Sequence, residues 1–292
     1  MRFKKLKLED IASLRRFFER NTCRLCDCTI GGTFMWRDYF ETEFEIEDHI
    51  LYLKVNYFDD GIAFPPPRGE HRGEPYEKLI AHCMAEGLPV RLCAVSKSNL
   101  DLILSLFPNA RVHTDRAWSD YLYRSEDLKT LAGRRYSAQR NHIHRFEREN
   151  PDWSFEAITA DNLEETREYF ARSFDERQKD SPTYNEGNAK TFEVLDHLKE
   201  YGFVGGVLRS GGRIVGASLG EVQGDTLFTH IERADVELSG VYQKLTNAFS
   251  NAFAGEGVEY INREEDDGDE GLRKAKLAYH PHALLDKYFV EI

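Results

Sequence analysis

Residues able to bind a charged ligand are concentrated at the ends of two predicted strands in the second half of the chain. They are Glu232 at the end of the first strand, and Asn262, Arg263, Glu264 and Asp266 at or just after the end of the second. Mixed α/β sheets place binding groups at such strand ends, where a carboxylate is suited to hold an ammonium group. The alternative is a solvated acidic loop that caps the following helix, and for an isolated loop this alternative is the better supported.

A second concentration of charge lies in residues 133–148, where arginines far outnumber acidic residues. The arginines are Arg134, Arg135, Arg140, Arg145 and Arg148, against Glu147 alone. An ordinary solvated helix face carries both signs of charge. A solvated helix face stays the alternative, but so few acidic partners weaken it, and a polyanion, whose phosphates need lysine or arginine, would have to bind at this local patch.

Residues 125–150 are predicted to form one long helix that connects the two halves of the chain. At about 100° per residue, Tyr136, Ile143 and Phe146 share one face and are expected to pack inward. Another side of this helix carries a basic stripe, which consists of Arg140, His144 and Arg148, with Asn141 and Arg145 next to it.

Three cysteines near the start form a C-x-x-C-x-C pattern that is compatible with zinc. They are Cys23, Cys26 and Cys28. A fourth ligand would have to come from Cys83, Cys93 or a histidine, and a second paired cluster is missing from the sequence. Reduced, partly buried thiols are the commoner outcome, so we predict no metal site.

The order strand, strand, helix, strand, helix, strand occurs in both predicted halves of the chain. The first half has strands 50–57 and 61–64, helix 74–86, strand 90–95, helix 98–107, and strands 110–114 and 120–124. The second has strands 203–208, 214–221 and 226–232, helix 240–254, strand 258–262, helix 271–278 and strand 287–292. Such alternation predicts an α/β protein with mixed sheets. The repeated order predicts two domains related by duplication, residues 1–125 and 126–292.

The composition is that of an ordinary globular protein, with 41% hydrophobic residues among 292. No apolar run approaches the ~20 residues of a membrane helix, and the first residues lack an apolar signal region. Together with an odd number of cysteines, this leads us to expect a cytoplasmic protein. The net charge of −12 argues against a general nucleic-acid binder.

Three segments carry long and unusual motifs. They are residues 26–40 (CDCTIGGTFMWRDYF), 131–146 (LAGRRYSAQRNHIHRF) and 260–277 (YINREEDDGDEGLRKAKL). In these motifs the chain resembles the family of the phosphatidylglycerol lysyltransferase C-terminal domain, whose broader relatives are the peptidoglycan-branching aminoacyltransferases. The resemblance implies two tandem GNAT-like domains with a binding cleft on the second. It also implies transfer of an amino acid from aminoacyl-tRNA to an amine or hydroxyl of a lipid or peptide.

The resemblance further implies roles for individual residues. Lys276 matches the lysine of the family's K-x-K-F stretch and Arg233 the arginine ahead of a G-V-x-x-x-L helix, so both are expected to be catalytic cations. A cation held near the carbonyl oxygen in acyl transfer is worth about 3–4 kcal/mol. The expected substrate-binding residues are Glu232, Asn262, Arg263, Glu264, Asp266, Lys274 and Tyr279. The expected residues for the donor's phosphates are Arg134, Arg135, Arg140, Asn141 and Arg145. The chain has H-I-E-R at 230–233 where the family has D-L-M-R.

Two other functions stay open. An acyl-CoA-dependent N-acyltransferase normally has a glycine-rich turn before the helix that follows the central strand, and residues 233–244 contain only Gly240. A non-catalytic binding module can keep the same fold. We expect an aminoacyl-tRNA-dependent transferase without a tightly bound cofactor. Its partners are expected to be the tRNA acceptor end and a small-molecule, peptide or lipid-headgroup acceptor.

Overall fold

The computed structural model describes residues 1–19, 22–57, 61–174 and 180–292 of the chain. Its strands, in chain order, are β1 (Lys4–Lys5), β2 (Glu43–Glu47), β3 (Ile50–Asn56), β4 (Ile62–Ala63), β5 (Arg91–Val95), β6 (Arg111–Thr114), β7 (Asp120–Arg124), β8 (Ser154–Ala157), β9 (Phe203–Ser210), β10 (Arg213–Gln223), β11 (Thr226–Ala234), β12 (Tyr260–Asn262), β13 (Ala283–Leu285) and β14 (Tyr288–Glu291).

The α-helices, in chain order, are α1 (Ile11–Glu19), α2 (Ile30–Phe34), α3 (Glu74–Glu86), α4 (Lys97–Leu106), α5 (Ser125–Thr130), α6 (Ser137–Glu149), α7 (Leu163–Arg172), α8 (Pro182–Asp196), α9 (Leu198–Tyr201), α10 (Val241–Phe253) and α11 (Glu270–Leu277). Within the described ranges, no helix is both long and apolar enough to cross a membrane. The predicted α/β class with mixed sheets is confirmed.

The chain forms two compact units, and the first is assembled from three separate segments. The first unit is Met1–Asp120, Glu265–Gly268 and Leu285–Ile292, and the second is Tyr121–Glu264 and Asp269–Leu284. The chain therefore returns to the first unit twice, unlike the contiguous ranges 1–125 and 126–292 predicted from the sequence. Duplication stays a prediction.

The first unit contains one sheet in the order β1-β2-β3-β4 and another in the order β5-β14-β6. Its core is apolar and aromatic, with Phe64, Tyr76, Leu92 and Val290 all buried. Helix α3 ends at Glu86, and its C-cap residue is Gly87, whose φ of +67° is the left-handed conformation that glycine adopts readily. The predicted end of this helix is therefore confirmed.

The last strand of the chain belongs to the first unit. β14 pairs antiparallel with both β5 and β6, and Val290 on it is fully buried. The sequence predicted this strand, but its place in the second half was wrong. Sequence order alone cannot reveal that a terminal strand inserts between two strands made much earlier.

The second unit is built on a sheet in the order β13-β7-β12-β11-β10-β9-β8. β8 to β11 are antiparallel neighbours, whereas β11 and β12 are parallel. One face is covered by α10, whose Val241 and Leu245 pack with Leu208 and Val215 of the sheet. This hydrophobic contact fixes the helix that follows β11.

The predicted long connector helix is wrong, because the segment breaks in the middle. α5 ends at Thr130, the next residue, Leu131, has a φ of +48°, and Gly133 has a φ of +85° before α6 begins. Both residues have left-handed φ values, which an α-helix cannot continue through. The predicted inward face is confirmed, since Tyr136, Ile143 and Phe146 are buried.

Candidate functional site

Strands β11 and β12 of the second unit are paired over only a short length. The pairing ends with Phe228 and Asn262, where β12 stops, while β11 continues to Ala234. Just beyond this point β11 has a β-bulge at His230, and at Gly220 of the neighbouring β10 a Cβ would lie 2.0 Å from the carbonyl oxygen of Phe228. Beyond the pairing, side chains from both strands can converge.

The first group of converging side chains is the His230 cluster, formed by His230, Glu221 and Glu264. Nε2 of His230 lies 2.9 Å from Oε1 of Glu221, and Nδ1 lies 2.7 Å from Oε1 of Glu264. The imidazole stacks on Phe203 and Phe228, with ring centroids 5.2 and 6.2 Å away. Burial alone lowers the pKa of His230, but hydrogen bonds to the two carboxylates outweigh it and raise the pKa to about 10. His230 is therefore a cation at neutral pH.

The second group is the Arg263–Glu232 pair. Nη2 of Arg263 donates to Oε1 and Oε2 of Glu232 at 3.1 and 3.2 Å, and the Thr246 hydroxyl donates to Oε1 at 2.9 Å. The guanidinium lies 5.2 Å from the ring centroid of Tyr279. Burial lowers the pKa of Arg263, but Glu232 more than offsets this, so the guanidinium stays charged. Each side chain of the pair is 13% exposed, which leaves a mostly desolvated pair still within reach of a ligand.

Lys276 holds the backbone that carries these groups. Its Nζ donates to the carbonyl oxygens of Arg263, at 2.6 Å, and Glu264, at 3.3 Å. Glu264 has a φ of +56°, and its N–H donates to Oδ1 of Asn262 at 2.7 Å. The carbonyl of Lys276 accepts a 2.8 Å hydrogen bond from the Tyr123 hydroxyl. The ammonium is buried, and it stabilises a turn that non-glycine residues rarely adopt.

Tyr279 lies beside the Arg263–Glu232 pair as an uncharged hydroxyl group. Burial raises the pKa of Tyr279 to about 12, and its side chain hydrogen-bonds with Thr246. Hydrogen bonds therefore connect Tyr279 through Thr246 to Glu232 and Arg263. This arrangement fixes the orientation of the carboxylate.

The structure brings together most of the predicted substrate-binding residues. Those at the separation of β11 and β12 are Glu232, Asn262, Arg263, Glu264 and Tyr279, and Lys276, predicted to be catalytic, lies with them. Arg233 lies next to them on β11, half-exposed, with its guanidinium 5.5 Å from the ring centroid of Tyr184. Lys274 is exposed on α11.

Asp266 belongs to the first unit. It is buried there, with Oδ2 3.3 Å from Nη1 of Arg116 and Oδ1 accepting the N–H of Gly268 at 3.0 Å. Through these contacts Asp266 stabilises the loop to which it belongs. The spacing in the acidic segment could not reveal this, because adjacent residues 264 and 265 fall in different units.

Among the predicted phosphate-binding residues, Arg140 is hydrogen-bonded to the backbone of its own chain segment. Its guanidinium donates to the carbonyl oxygens of Leu131 and Gly133, closing the break before α6. Asn141, next to it, is exposed. Arg140 therefore stabilises the turn, whereas its neighbour is open to a ligand.

The other predicted phosphate-binding arginines are exposed on the same segment. Nη2 of Arg135 lies 2.8 Å from Oδ2 of Asp127, and Nε of Arg145 lies 2.8 Å from Oε1 of Glu149. Arg134 is exposed and makes no ion pair within the described part of the chain. Ion pairs at exposed sites are weak, so these arginines can exchange their carboxylates for phosphates.

The first unit contains a charged group of its own, the Lys287 cluster, formed by Lys287, Cys26, Asp27, Asp120 and Glu265. Nζ of Lys287 lies 2.7 Å from Asp27, 2.9 Å from Asp120 and 2.9 Å from Glu265. It also donates to Sγ of Cys26 at 3.2 Å. Cys26, Asp120 and Glu265 have ligand atoms within 4.8 Å of one another, a spacing suited to a metal ion. The ammonium of Lys287 contacts all three and supplies positive charge to this group.

The C-x-x-C-x-C pattern is divided between two environments. Cys26 contributes to the Lys287 cluster, whereas Cys23 and Cys28 hydrogen-bond to each other. The three sulfurs therefore do not converge on one point as ligands of a single zinc ion must.

Sequence reasoning missed Glu221, His230 and Thr246. H-I-E-R at 230–233 was noted only as a departure from D-L-M-R, although it placed a titratable side chain two residues before Glu232. The register of β11 shifts at His230, which lies between the pairs Thr229–Gly220 and Ile231–Leu219, so simple alternation along the strand could not reveal its position. Nothing in the sequence indicated that Glu264 closes the cluster.

Comparison with known proteins shows the relationships of the chain. The family model described as phosphatidylglycerol lysyltransferase, C-terminal, matches residues 23–291. A conserved protein of unknown function from Bacteroides thetaiotaomicron VPI-5482 is similar over 99% of both chains, with 30% identity and a TM-score of 0.90. The L-PGS of Bacillus licheniformis is similar over 96% of this chain and 91% of its own, with 15% identity and a TM-score of 0.68. Among curated protein sequences, none matches significantly.

The fold is also similar to that of a GNAT-family acetyltransferase from Colwellia psychrerythraea. That structure matches over 100% of this chain and 99% of its own, with 9% identity and a TM-score of 0.52. At such low identity the likeness shows the GNAT-like fold alone. The family match, by contrast, spans nearly the whole sequence, and the chain therefore belongs to the family of the phosphatidylglycerol lysyltransferase C-terminal domain.

Proposed function

We propose that the chain is an aminoacyltransferase that takes its amino acid from aminoacyl-tRNA and passes it to an amine or hydroxyl group. Its family is named for a transferase, and a structure of similar fold is an acetyltransferase. The observation that carries the proposal is the Arg263–Glu232 pair at the separation of β11 and β12. An aminoacyl ester brings an ammonium group for the carboxylate and a carbonyl oxygen for the cation.

In the proposed reaction, the ammonium group of the donor binds Glu232 and competes with Arg263 for this carboxylate. The guanidinium is then available to stabilise the charge that develops on the carbonyl oxygen. The acceptor nitrogen or oxygen forms a bond to the carbonyl carbon, and the bond to the ribose oxygen breaks. That oxygen leaves with the proton lost by the acceptor, so no covalent enzyme intermediate is needed.

Lys276 acts as a positioning residue in this proposal. Its ammonium donates to the carbonyls of Arg263 and Glu264, so it sets where their side chains lie. The cationic role that the resemblance implied for Lys276 is then taken by Arg263. Arg233 is half-exposed beside the pair and is available to the donor.

The geometry at Gly240 gives less support to acyl-CoA as donor. Gly240 has a φ of +81° at the start of α10, and a Cβ there would lie 2.1 Å from the carbonyl oxygen of His142. The glycine is thus explained by close packing against α6. A carbonyl oxygen near this helix end also disfavours a pyrophosphate.

The donor's phosphates are assigned to the exposed arginines before and on α6. Replacing Arg134 with Gln should weaken tRNA binding and reduce the salt slope of binding by about one. The measurement is the dissociation constant at several salt concentrations. Arg213→Gln is a matched control, because Arg213 is an exposed arginine in the β9–β10 hairpin. An unchanged slope in Arg134→Gln would remove this residue from the phosphate site.

The decisive experiment measures release of amino acid from charged tRNA pools by wild type and Glu232→Gln. Lipid vesicles containing phosphatidylglycerol, peptide amines and a small-molecule extract are offered separately as acceptors. Because a hydrogen bond to a charged group is worth about 1.5–3 kcal/mol, Glu232→Gln should lower kcat/KM about tenfold to a hundredfold. Glu164→Gln, which changes an exposed glutamate on α7, should leave it unchanged.

The outcomes separate the candidate functions. Transfer from charged tRNA that falls in Glu232→Gln supports the proposal and identifies the acceptor class. Transfer only from acyl-CoA would show that acyl-CoA, and not aminoacyl-tRNA, is the donor. Tight binding of charged tRNA without turnover on any acceptor favours a non-catalytic binding module.

A further inference from the structure

Cys23 and Cys28 of the first unit form a pair of thiols within hydrogen-bonding distance. Cys23 is half-exposed, whereas Cys28 is buried, and neither forms a disulfide. Their side chains hydrogen-bond to each other. Cys28 ends a short 3-10 turn, and Thr29 directly after it caps α2, so the position of the buried sulfur is fixed by the backbone.

A buried guanidinium acts on both sulfurs. Arg68 is 8% exposed, lies 4.3 Å from the ring centroid of Phe18, and donates through Nη2 to the carbonyl oxygen of Asp27 at 2.9 Å. Its Nη1 is buried without a hydrogen-bond partner in the described part of the chain. A buried cation with an unpaired nitrogen favours negative charge nearby, and Cys23 and Cys28 are within its electrostatic reach.

The two thiols differ in acidity in the way that a redox pair requires. The hydrogen bond from Cys28 lowers the pKa of Cys23, and Arg68 lowers it further, against the opposing effect of burial. The same hydrogen bond, together with burial, raises the pKa of Cys28. Burial also raises the pKa of the thiols of Cys26 and Cys93. Cys23 is thus the one thiol among these four that is set up to react as a thiolate.

We propose that Cys23 and Cys28 form a redox-active dithiol that a hydroperoxide converts into an intrachain disulfide. In the first step the thiolate of Cys23 attacks the peroxide oxygen, giving a sulfenic acid and, after uptake of a proton, water or an alcohol. In the second step the sulfur of Cys28 attacks the sulfenic sulfur, the S–S bond forms, and the sulfenic hydroxyl leaves as water with the thiol proton of Cys28. The two sulfurs together lose two electrons, which the peroxide takes up. This site is independent of the transferase proposal.

The test treats the reduced full chain with hydrogen peroxide and follows each cysteine by alkylation and peptide mass spectrometry. In wild type we expect a disulfide between Cys23 and Cys28. In Cys28→Ser we expect a sulfenic acid at Cys23 that dimedone traps, and in Cys23→Ser neither product. Cys83→Ser is the matched control, because Cys83 is a buried thiol of the same unit, and it should behave as wild type.

A second readout needs no variant. In the native wild-type chain at neutral pH, Cys23 should be alkylated about tenfold faster than Cys28 or Cys93, with a midpoint below the ordinary thiol value of about 8.5. Equal rates, or a midpoint at or above the ordinary value, overturn the proposal. A peroxide product that joins other cysteines, or over-oxidation of Cys23 without a disulfide, also overturns it.

Discussion

The two units each contain a buried charged cluster, but the clusters use different cations. In the His230 cluster, an imidazolium lies between the carboxylates of Glu221 and Glu264. In the Lys287 cluster, an ammonium contacts three carboxylates and a thiol. The second cluster therefore has a larger excess of acidic groups over basic ones.

The two clusters accommodate their excess negative charge in opposite ways. Burial and the neighbouring Glu265 raise the pKa of Asp120 to about 7, although Lys287 opposes this, so Asp120 is partly protonated at neutral pH. In the His230 cluster, the cation itself is the group whose pKa is raised, to about 10. A permanent cation thus leaves the proton on a carboxylate, whereas a titratable cation retains the proton itself.

The largest expected effect comes from removing the permanent cation. Lys287→Met leaves the fully buried carboxylate of Asp120 without its partner, and breaking a buried ion pair in this way costs about 3–5 kcal/mol. The measurement is the free energy of unfolding in urea. Lys97→Met, which removes a 67%-exposed lysine beside Asp101, should cost at most about 1 kcal/mol. Equal losses in the two variants would show that the Lys287 cluster is not a buried ion-pair network.

Removing the titratable cation should cost less. His230→Gln keeps a hydrogen-bonding amide between the carboxylates but loses the charge, so we expect a loss of about 1.5–3 kcal/mol. The control is His197→Gln, because His197 is an exposed histidine near Glu200. A loss no greater than that of the control would mean that His230 is neutral in the folded protein.

The pH dependence of stability should distinguish the two clusters. His230 has a folded pKa of about 10 against 6.5 unfolded, so its stabilisation is complete below pH 6.5 and disappears as the pH rises to 10. Asp120 binds a proton more readily when folded, so its contribution falls between pH 3.8 and about 7. His230→Gln should flatten the alkaline part of the stability profile and Asp120→Asn the acidic part. Unchanged profiles would contradict the respective assignments.

The smallest effect is expected from neutralising one surplus carboxylate. Asp27 is 32% exposed and contacts Lys287 beside the fully buried Asp120, so Asp27→Asn should change stability by about 1 kcal/mol or less. Because Asp27 contributes to the raised pKa of Asp120, this variant should also move the pKa of Asp120 downward. A titration of Asp120 by NMR measures this shift. A loss as large as that of Lys287→Met would mean that no carboxylate is surplus.

How far the sequence predicts the site depends on the distance between its parts. Glu232, Arg263 and Glu264 were predicted because they end strands, and short-range strand patterns reveal strand ends. The contact of His230 with Glu264 joins residues on opposite sides of the whole β11–α10–β12 excursion. Such a contact depends on where β12 stops pairing, which no local pattern records.

The cysteines show the same limit in the opposite case, because residues that are close in sequence here lie in different environments. Spacing grouped Cys23, Cys26 and Cys28 as possible ligands of one metal ion, because they lie close in sequence. A short 3-10 turn at Cys26–Cys28 points neighbouring side chains in different directions. Lys287, the main partner of Cys26, comes from the far end of the sequence and could not be anticipated.

The position of β14 has a consequence for the order in which the protein is assembled. Translation delivers β5 and β6 early, but the strand between them arrives only when residues 288–291 have been made. Until then Asp120 also lacks the ammonium of Lys287. Domains usually fold in the order of their synthesis. Here the unit that contains residues 1–120 is completed only after the second unit has been made, so a stop codon that removes residues 285–292 damages the unit encoded first.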